Sequence, residues 1–282
     1  MRRHFVHFLW GSLLAILGLV FVFFISVWNG WVGYMPNMDE LSNPIDKFAS
    51  QVYSSDQQLI GTWNADNNNR VAIDYNGLSP HLVHALVATE DERFYEHSGI
   101  DFIALGRAVV KRGVMGQASA GGGSTITQQL AKQLFSEKAH STVERLLQKP
   151  IEWIIAVKLE RYFTKEEILA MYFNYFDFLH NAVGIKRAAN VYFNKEPRKL
   201  TVTESAMLVG LCKNPSMFNP LRHPERCLQR RNVVLMQMVK SGYVTKDEYK
   251  ELSQRPLGLH FTRSKPVSGA GDYFQAFLRQ YM

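Results

Sequence analysis

The chain has 282 residues, 46% of them hydrophobic and 20% charged, which is enough for one sizeable globular domain or two small ones and excludes a disordered or fibrous class. A formal net charge of +7 points to an anionic partner: nucleic acid, an acidic membrane surface or a phosphorylated substrate. Two cysteines, Cys212 and Cys227, are too few for a disulfide framework and read as small buried residues of helices, and no CxxC or HExxH spacing suggests a structural metal.

After Arg2 and Arg3 no Asp, Glu, Lys or Arg occurs until Asp39, and Phe8 to Trp28 is an apolar run of the length a helix needs to cross a bilayer. The basic N-terminus then stays in the cytoplasm, and Trp10, Trp28 and Trp31 sit near the two interfaces. A cleaved signal peptide is the alternative. Either reading exports the rest of the chain and argues against nucleic acid as the partner.

Residues 1–34 are therefore read as cytoplasmic N-terminus and transmembrane anchor, and 35–78 as a polar connector with a short hairpin over ASQVYSSDQQLIGTW and NRVAIDY. From 79 to 260 the pattern is helical. Ser79 with Pro80 opens one helix and Asp101 opens another. Thr164 with Glu167, Thr201 with Glu204 and Thr245 with Glu248 each have the spacing of a reciprocal cap. Pro224 begins a helix that ends before Gly242, and Pro150 is expected to start a new helix or kink the long one around it. GQASAGGGS, residues 116–124, reads as a flexible loop entering a helix near Ser124.

Three clusters carry the chemistry. ATEDERFYEHSGID, residues 88–101, sets Glu90 at the end of an apolar helix, where burial tunes a carboxylate toward general-base work, with Asp91, Phe94 and His97 following. GGGSTITQQLAKQ, residues 121–133, runs a glycine-rich loop into a helix N-terminus, a geometry that meets anions. Gly123, Ser124, Thr125, Thr127, Gln128, Gln129 and Lys132 are its candidate contacts. It is not a nucleotide-binding P-loop, because GK[ST] is absent. In QKPIEW, Lys149 and Glu152 stand three apart on one helix face, offering a cation for a leaving group and a carboxylate to orient it.

Together these stretches resemble the glycosyltransferase family 51 domain, found in class A penicillin-binding proteins and monofunctional transglycosylases. EDERFYEHSG is similar to its first motif and GGSTITQQLAKQ to its second. KPIE is similar to the third, ILAMYFN (with Tyr172 and Asn174) and GIKRAANVYF to the fourth, and ESAMLVGLCKNPSMFNP to the fifth. The chain departs from the pattern at Gln133 (usually Asn), Gln148 (usually Arg), Ala170 (usually Glu), residues 179–184 (usually glycine-rich) and Cys212 (usually Pro).

The resemblance implies a mainly α, lysozyme-like, two-lobed domain with a small β element near its start, preceded by one transmembrane helix. It implies polymerisation of lipid II into glycan strands, with Glu90 as base, Glu152 as the second catalytic carboxylate, inversion at MurNAc C1 and release of undecaprenyl pyrophosphate. The segment with Arg107, Lys111 and Arg112 is then expected against the bilayer. No organic cofactor is implied, and a divalent cation, Mg or Mn, is compatible with the reading. The expected partners are lipid II, the lipid-linked glycan chain, the cytoplasmic membrane and other cell-wall synthesis proteins, with the catalytic domain on the periplasmic side of a bacterial cytoplasmic membrane. The rivals are a lysozyme-like hydrolase and a catalytically silent membrane-anchored scaffold. No SxxK or KTG occurs, so no transpeptidase site is read, and 261–282 resembles the linker that precedes that domain in bifunctional members.

Overall fold

The computed structural model describes residues 2–31, 34–37, 40–41, 50–53, 59–63, 71–110, 123–136 and 142–262. Most of the expected loop at 116–124, the basic pair Lys111 and Arg112, and nearly all of the 261–282 linker lie outside the described residues.

Helix α1 (Arg2–Trp28) is apolar, and its Arg3–Trp28 stretch of 26 residues is long enough to cross a membrane. The expected hairpin forms from β1 (Ser50–Tyr53) and β2 (Leu59–Trp63), antiparallel with Ser50 opposite Trp63. Among the described residues no other strand occurs, and NRVAIDY contributes none. The remainder is helical: α2 (Pro80–Glu90), α3 (Phe102–Val109), α4 (Ile126–Phe135), α5 (Thr142–Tyr162), α6 (Lys165–Tyr175), α7 (Ile185–Phe193), α8 (Val202–Lys213), α9 (Pro224–Lys240) and α10 (Lys246–Gln254).

The helix starts follow local chemistry. Thr164, Thr201 and Thr245 each form the complete reciprocal cap, the threonine hydroxyl accepting from the glutamate N–H while the glutamate carboxylate accepts from the threonine N–H. Pro80 and Pro224 occupy first turns, where a missing N–H costs nothing. Pro150 does not start a new helix; it lies inside α5. The turns beyond it are held by burial of Ile154, Ile155, Ala156 and Leu159, each an apolar side chain out of water, which outweighs one absent donor.

Helix α2 packs between α8 and α9, which also pack on each other, while α4 packs against α5 and α6. One continuous apolar core joins the two sets through residues such as Leu86, Leu130, Phe173, Leu208 and Leu235. Their seam is where the C-terminal end of α2 meets α4. Cys212 and Cys227 are free thiols, both buried in the core, as read from sequence.

The anchor is not independent of the folded domain. Val27 is fully buried, the Phe24 ring stacks on Trp153 of α5 with centroids 6.4 Å apart, and the Lys158 ammonium lies 4.9 Å from the centre of the Trp28 ring. Burial among these apolar groups pushes the Lys158 ammonium below its ordinary pKa. The end of α1 thus docks on the helix that carries Lys149 and Glu152.

Candidate active site

The apolar face of α2 buries Leu82, Val83, Ala85, Leu86 and Val87 and leaves Glu90 at the last turn, with 17% of its side chain exposed. A helix C-terminus is a poor place for a carboxylate, whose charge meets the negative end of the backbone dipole. Two partners offset this. Gln129 Nε2 of α4 donates to Glu90 Oε2 at 3.0 Å, and Arg230 Nη2 of α9 reaches Oε1 at 3.5 Å. Arg230 is the residue that sequence reading missed, because nothing in CLQRRNVV separates it from a solvated basic helix. Its neighbour Arg231, fully buried, turns the other way and donates to the carbonyls of Leu252, Ser253, Arg255 and Pro256.

Asp91 binds the first cluster to the second. Its carboxylate accepts from the Ile126 N–H at the start of α4 (3.0 Å) and from His97 Nε2 (3.0 Å), so Nε2 carries the imidazole proton. The expected anion position at this helix N-terminus is therefore taken by the protein's own carboxylate. Phe94 is fully buried beneath the Lys165 ammonium, which stands 4.2 Å from its ring centre and also bonds the His97 carbonyl and Glu160.

Thr125, Thr127 and Gln128 point inward rather than toward an anion. The Thr125 hydroxyl donates to the Gly99 carbonyl at 2.7 Å and accepts from the Gln128 N–H, Gln128 Nε2 donates to the same carbonyl at 3.2 Å, and Thr127 donates to Glu160 at 2.6 Å. All three are at most 2% exposed, because the apolar face of α4 carries them into the core. Gly99 makes this possible: its φ is +88°, and a Cβ there would lie 2.8 Å from the Ala156 backbone. Asn174 likewise faces away from the site and clamps the strand-like segment ahead of α2, bonding both the N–H and the carbonyl of Ile73.

Glu90, Asp91, Glu92, Arg93, Asp101, Ala104, Arg107, Gly123, Ser124 and Thr125 line an open cleft. Burial alone would raise the Asp101 carboxyl, but the Ala104 N–H and the Arg93 guanidinium outweigh it and hold that carboxyl below its ordinary range. At the Ser124 side of the cleft, Lys149 Nζ stands 3.5 Å from Ser124 Oγ and 2.5 Å from Glu152 Oε2. The Glu152 side chain is 3% exposed and has the Lys149 ammonium as its ion-pair partner. Lys132 is exposed on α4. Tyr172 is fully buried and donates its hydroxyl to Gln129 Oε1 at 3.1 Å.

The geometry thus sets Glu90, bonded to Gln129, and Ser124, bonded to Lys149 and through it to Glu152, along one cleft that Asp91 and Thr125 also line, with Tyr172 holding Gln129 from the core. The family model described as Transglycosylase matches residues 56–239. The chain belongs to the transglycosylase family. It is 37% identical over 273 residues to penicillin-binding protein 1A of Aquifex aeolicus, covering 95% of this chain and 36% of that protein. Penicillin-binding protein 1A of Escherichia coli is 35% identical over 88% of this chain and 28% of its own length. For penicillin-binding protein 1F of Bacillus subtilis the figures are 39%, 75% and 29%. This transglycosylase chain therefore spans roughly a third of the length of these relatives. Likeness to the crystal structure of penicillin-binding protein 1A from Haemophilus influenzae is distant, with 23% identity and a TM-score of 0.41 over 83% of this chain and 24% of that one.

The positions where the chain departs from the family pattern have structural consequences. Gln133 carries a buried amide oxygen with no partner among the described residues. Ala170 is buried in α6. In the segment that replaces a glycine-rich run, Leu179, His180 and Asn181 adopt φ of 67°, 53° and 60°, each costing about 1–2 kcal/mol for a side chain with a Cβ. A Leu179 N–H bond to Asp177 and a His180 contact with Asn219 hold the loop there. Cys212 stands behind Glu90, its thiol pKa pushed up by burial and then by the Glu90 charge.

Proposed function

We propose that this chain is a peptidoglycan glycosyltransferase that polymerises lipid II, with Glu90 as the general base. The observation that carries the reading is the pairing of a cleft-facing carboxylate, oriented by Gln129 and Arg230, with an ammonium at the Ser124 end of the same cleft. The acceptor sugar hydroxyl gives its proton to Glu90 as its oxygen attacks C1 of the donor sugar. The C1–O bond to the pyrophosphate breaks with its electron pair on the leaving oxygen, and one displacement inverts C1.

Pyrophosphate is already a good leaving group and needs charge rather than a proton. Because Asp91 fills the start of α4, that charge comes from side chains: Lys149, seated on Glu152 and Ser124, and Arg107 in the cleft lining. Among the described residues no three His, Cys, Asp or Glu side chains converge to hold a cation, and the mechanism routes no step through Mg or Mn. Hydrolysis on the lysozyme pattern asks for a second carboxyl free to act on the sugar. Glu152 is buried and committed to Lys149, and Asp91 and Asp101 are committed to Ile126 and His97 and to Ala104 and Arg93, so none of the three is free for that role.

The same reading sets α1 across a bacterial cytoplasmic membrane with Arg2 and Arg3 inside, the cleft on the periplasmic side, and the lipid-linked glycan chain and other cell-wall synthesis proteins as partners. It is tested by incubating the full chain with lipid II and, separately, with preformed glycan. Polymer and undecaprenyl pyrophosphate from the first, with no new reducing ends from the second, support it; cleavage of preformed glycan without polymer overturns it.

A further inference from the structure

Lys158 of α5 is a buried cation without a counter-ion. Only 6% of the residue is exposed, and its ammonium meets the face of the Trp28 ring 4.9 Å from the ring centre. Among the described residues it has neither a hydrogen bond nor a carboxylate partner. Burial lowers its pKa, and no acidic group raises it back. The nearest carboxylates along α5 are committed elsewhere, Glu152 to Lys149 and Glu160 to Thr127 and Lys165. Helix α1 carries no Asp or Glu. An ammonium taken out of water is costly unless an anion meets it, and a ring face offsets only part of that cost.

The surroundings say where that anion comes from. Trp28 closes α1 at the end opposite Arg2 and Arg3, and a 26-residue apolar span carries a helix through the hydrocarbon to the headgroup layer. The Trp28 residue is 43% exposed, so the ammonium lies one ring below the surface. Arg161 and Tyr162, three and four residues beyond Lys158, share its face of α5, and both are exposed. Arg161 also has no carboxylate partner among the described residues. An ammonium and a guanidinium between two interfacial aromatic rings offer a phosphate both charge and N–H donors at headgroup depth.

We propose that Lys158 and Arg161, with Trp28 and Tyr162, form a binding site for the phosphate headgroup of an anionic bilayer lipid. The inference rests on reading α1 as the membrane anchor and is independent of the role of Glu90. The headgroup supplies the counter-ion that the fold lacks. It also holds α5 at a set height over the bilayer, and α5 carries Lys149 and Glu152. The site is distinct from the cleft, because Lys149 and Lys158 stand nine residues apart, about 13 Å along the helix.

The experiment reconstitutes the full chain in nanodiscs of phosphatidylcholine, with and without phosphatidylglycerol, and melts it beside Lys158→Met and Arg161→Gln. Lys158→Met keeps the apolar stem and removes an unpaired buried charge, so in phosphatidylcholine it should melt at or above the wild-type temperature. Phosphatidylglycerol should raise the wild-type melting temperature by several degrees, because a ligand of the folded state alone stabilises it. The rise should be smaller in Arg161→Gln and absent in Lys158→Met. Acetylation of lysines read by mass spectrometry reports the site itself. Phosphatidylglycerol should slow labelling of Lys158 about threefold or more, since an adjacent anion keeps the amine protonated, and leave the exposed Lys246 unchanged. Equal melting gains in wild type and Lys158→Met, or Lys158 labelled alike in both lipids, overturn the site. The same protection from inorganic phosphate in phosphatidylcholine discs overturns the lipid as its ligand. Wild-type protein that stays outside the discs overturns the anchor reading and the site with it.

Discussion

Arg230 and Glu90 meet across 140 residues of sequence, Nη2 to Oε1 at 3.5 Å, with the arginine side chain lying against Gly210 of α8, where a Cβ would come within 3.2 Å of it. The contact compensates a carboxylate placed at the negative end of α2, and it fixes the direction in which Glu90 faces the cleft. Arg230→Met keeps the apolar stem and removes the charge. It is expected to lower kcat/KM by about tenfold or more, the scale of a hydrogen bond to a charged group, while Arg230→Lys retains an intermediate rate. Steady-state polymerisation kinetics decide; equal rates in all three proteins would show that Arg230 only packs.

Lys149 and Glu152 separate stability from chemistry. Lys149→Ala leaves a nearly buried carboxylate without its partner, a change that costs about 1–3 kcal/mol, less than for a fully buried pair because 40% of the Lys149 side chain meets solvent, and it also removes the leaving-group cation. Adding Glu152→Gln to Lys149→Ala relieves the uncompensated charge. The double variant is expected to recover most of the lost melting temperature and none of the lost rate. Thermal melts paired with single-turnover kinetics test this, and recovery of both together would mean that Lys149 acts only on the fold.

The docked end of α1 makes the anchor a contributor to the stability of the folded domain. A chain beginning after Trp31 should still unfold cooperatively, but it uncovers the Trp153 ring and loses the buried Val27, worth about 1.5–3 kcal/mol. Its melting temperature in detergent should fall by several degrees, about 2–4 °C per kcal/mol for a domain of this size. Trp153→Ala in the full chain should reproduce part of that fall. An unchanged melting temperature on truncation would mean that the seam contributes nothing.

Asp101 supplies the acid sensitivity of the cleft. Its carboxyl is held below the ordinary value of 3.8, so its stabilisation is fully present above that value and is lost as pH falls through the folded-state value. Melting temperature followed downward from pH 6 should therefore drop less steeply below about pH 4 in Asp101→Asn than in wild type. Parallel slopes would remove Arg93 and the Ala104 cap from the account.

What could be read from sequence was what chemistry keeps local. The three Thr–Glu caps formed as spaced, because both partners lie within one helical turn, and Lys149 found Glu152 for the same reason. The facing of Thr125, Thr127 and Gln128 is not legible in sequence, because a glycine-rich loop before a helix looks the same whether its hydroxyls face solvent or core; only the packing of α4 on α5 and α6 decides that. Arg230 and Cys212 were invisible as site residues because their relation to Glu90 exists only after α2 settles between α8 and α9. Pro150 shows the same priority, with burial of Ile154, Ile155, Ala156 and Leu159 in the turns beyond it carrying α5 through.

The central claim, that Glu90 takes the acceptor's proton, is tested most directly by single-turnover polymerisation of lipid II by Glu90→Gln, with substrate binding and thermal melting measured on the same preparation. The account predicts a folded protein that binds lipid II within about twofold of wild type and polymerises it slower by a factor on the order of 10² to 10⁴. Polymerisation at a near wild-type rate by that folded variant would contradict it.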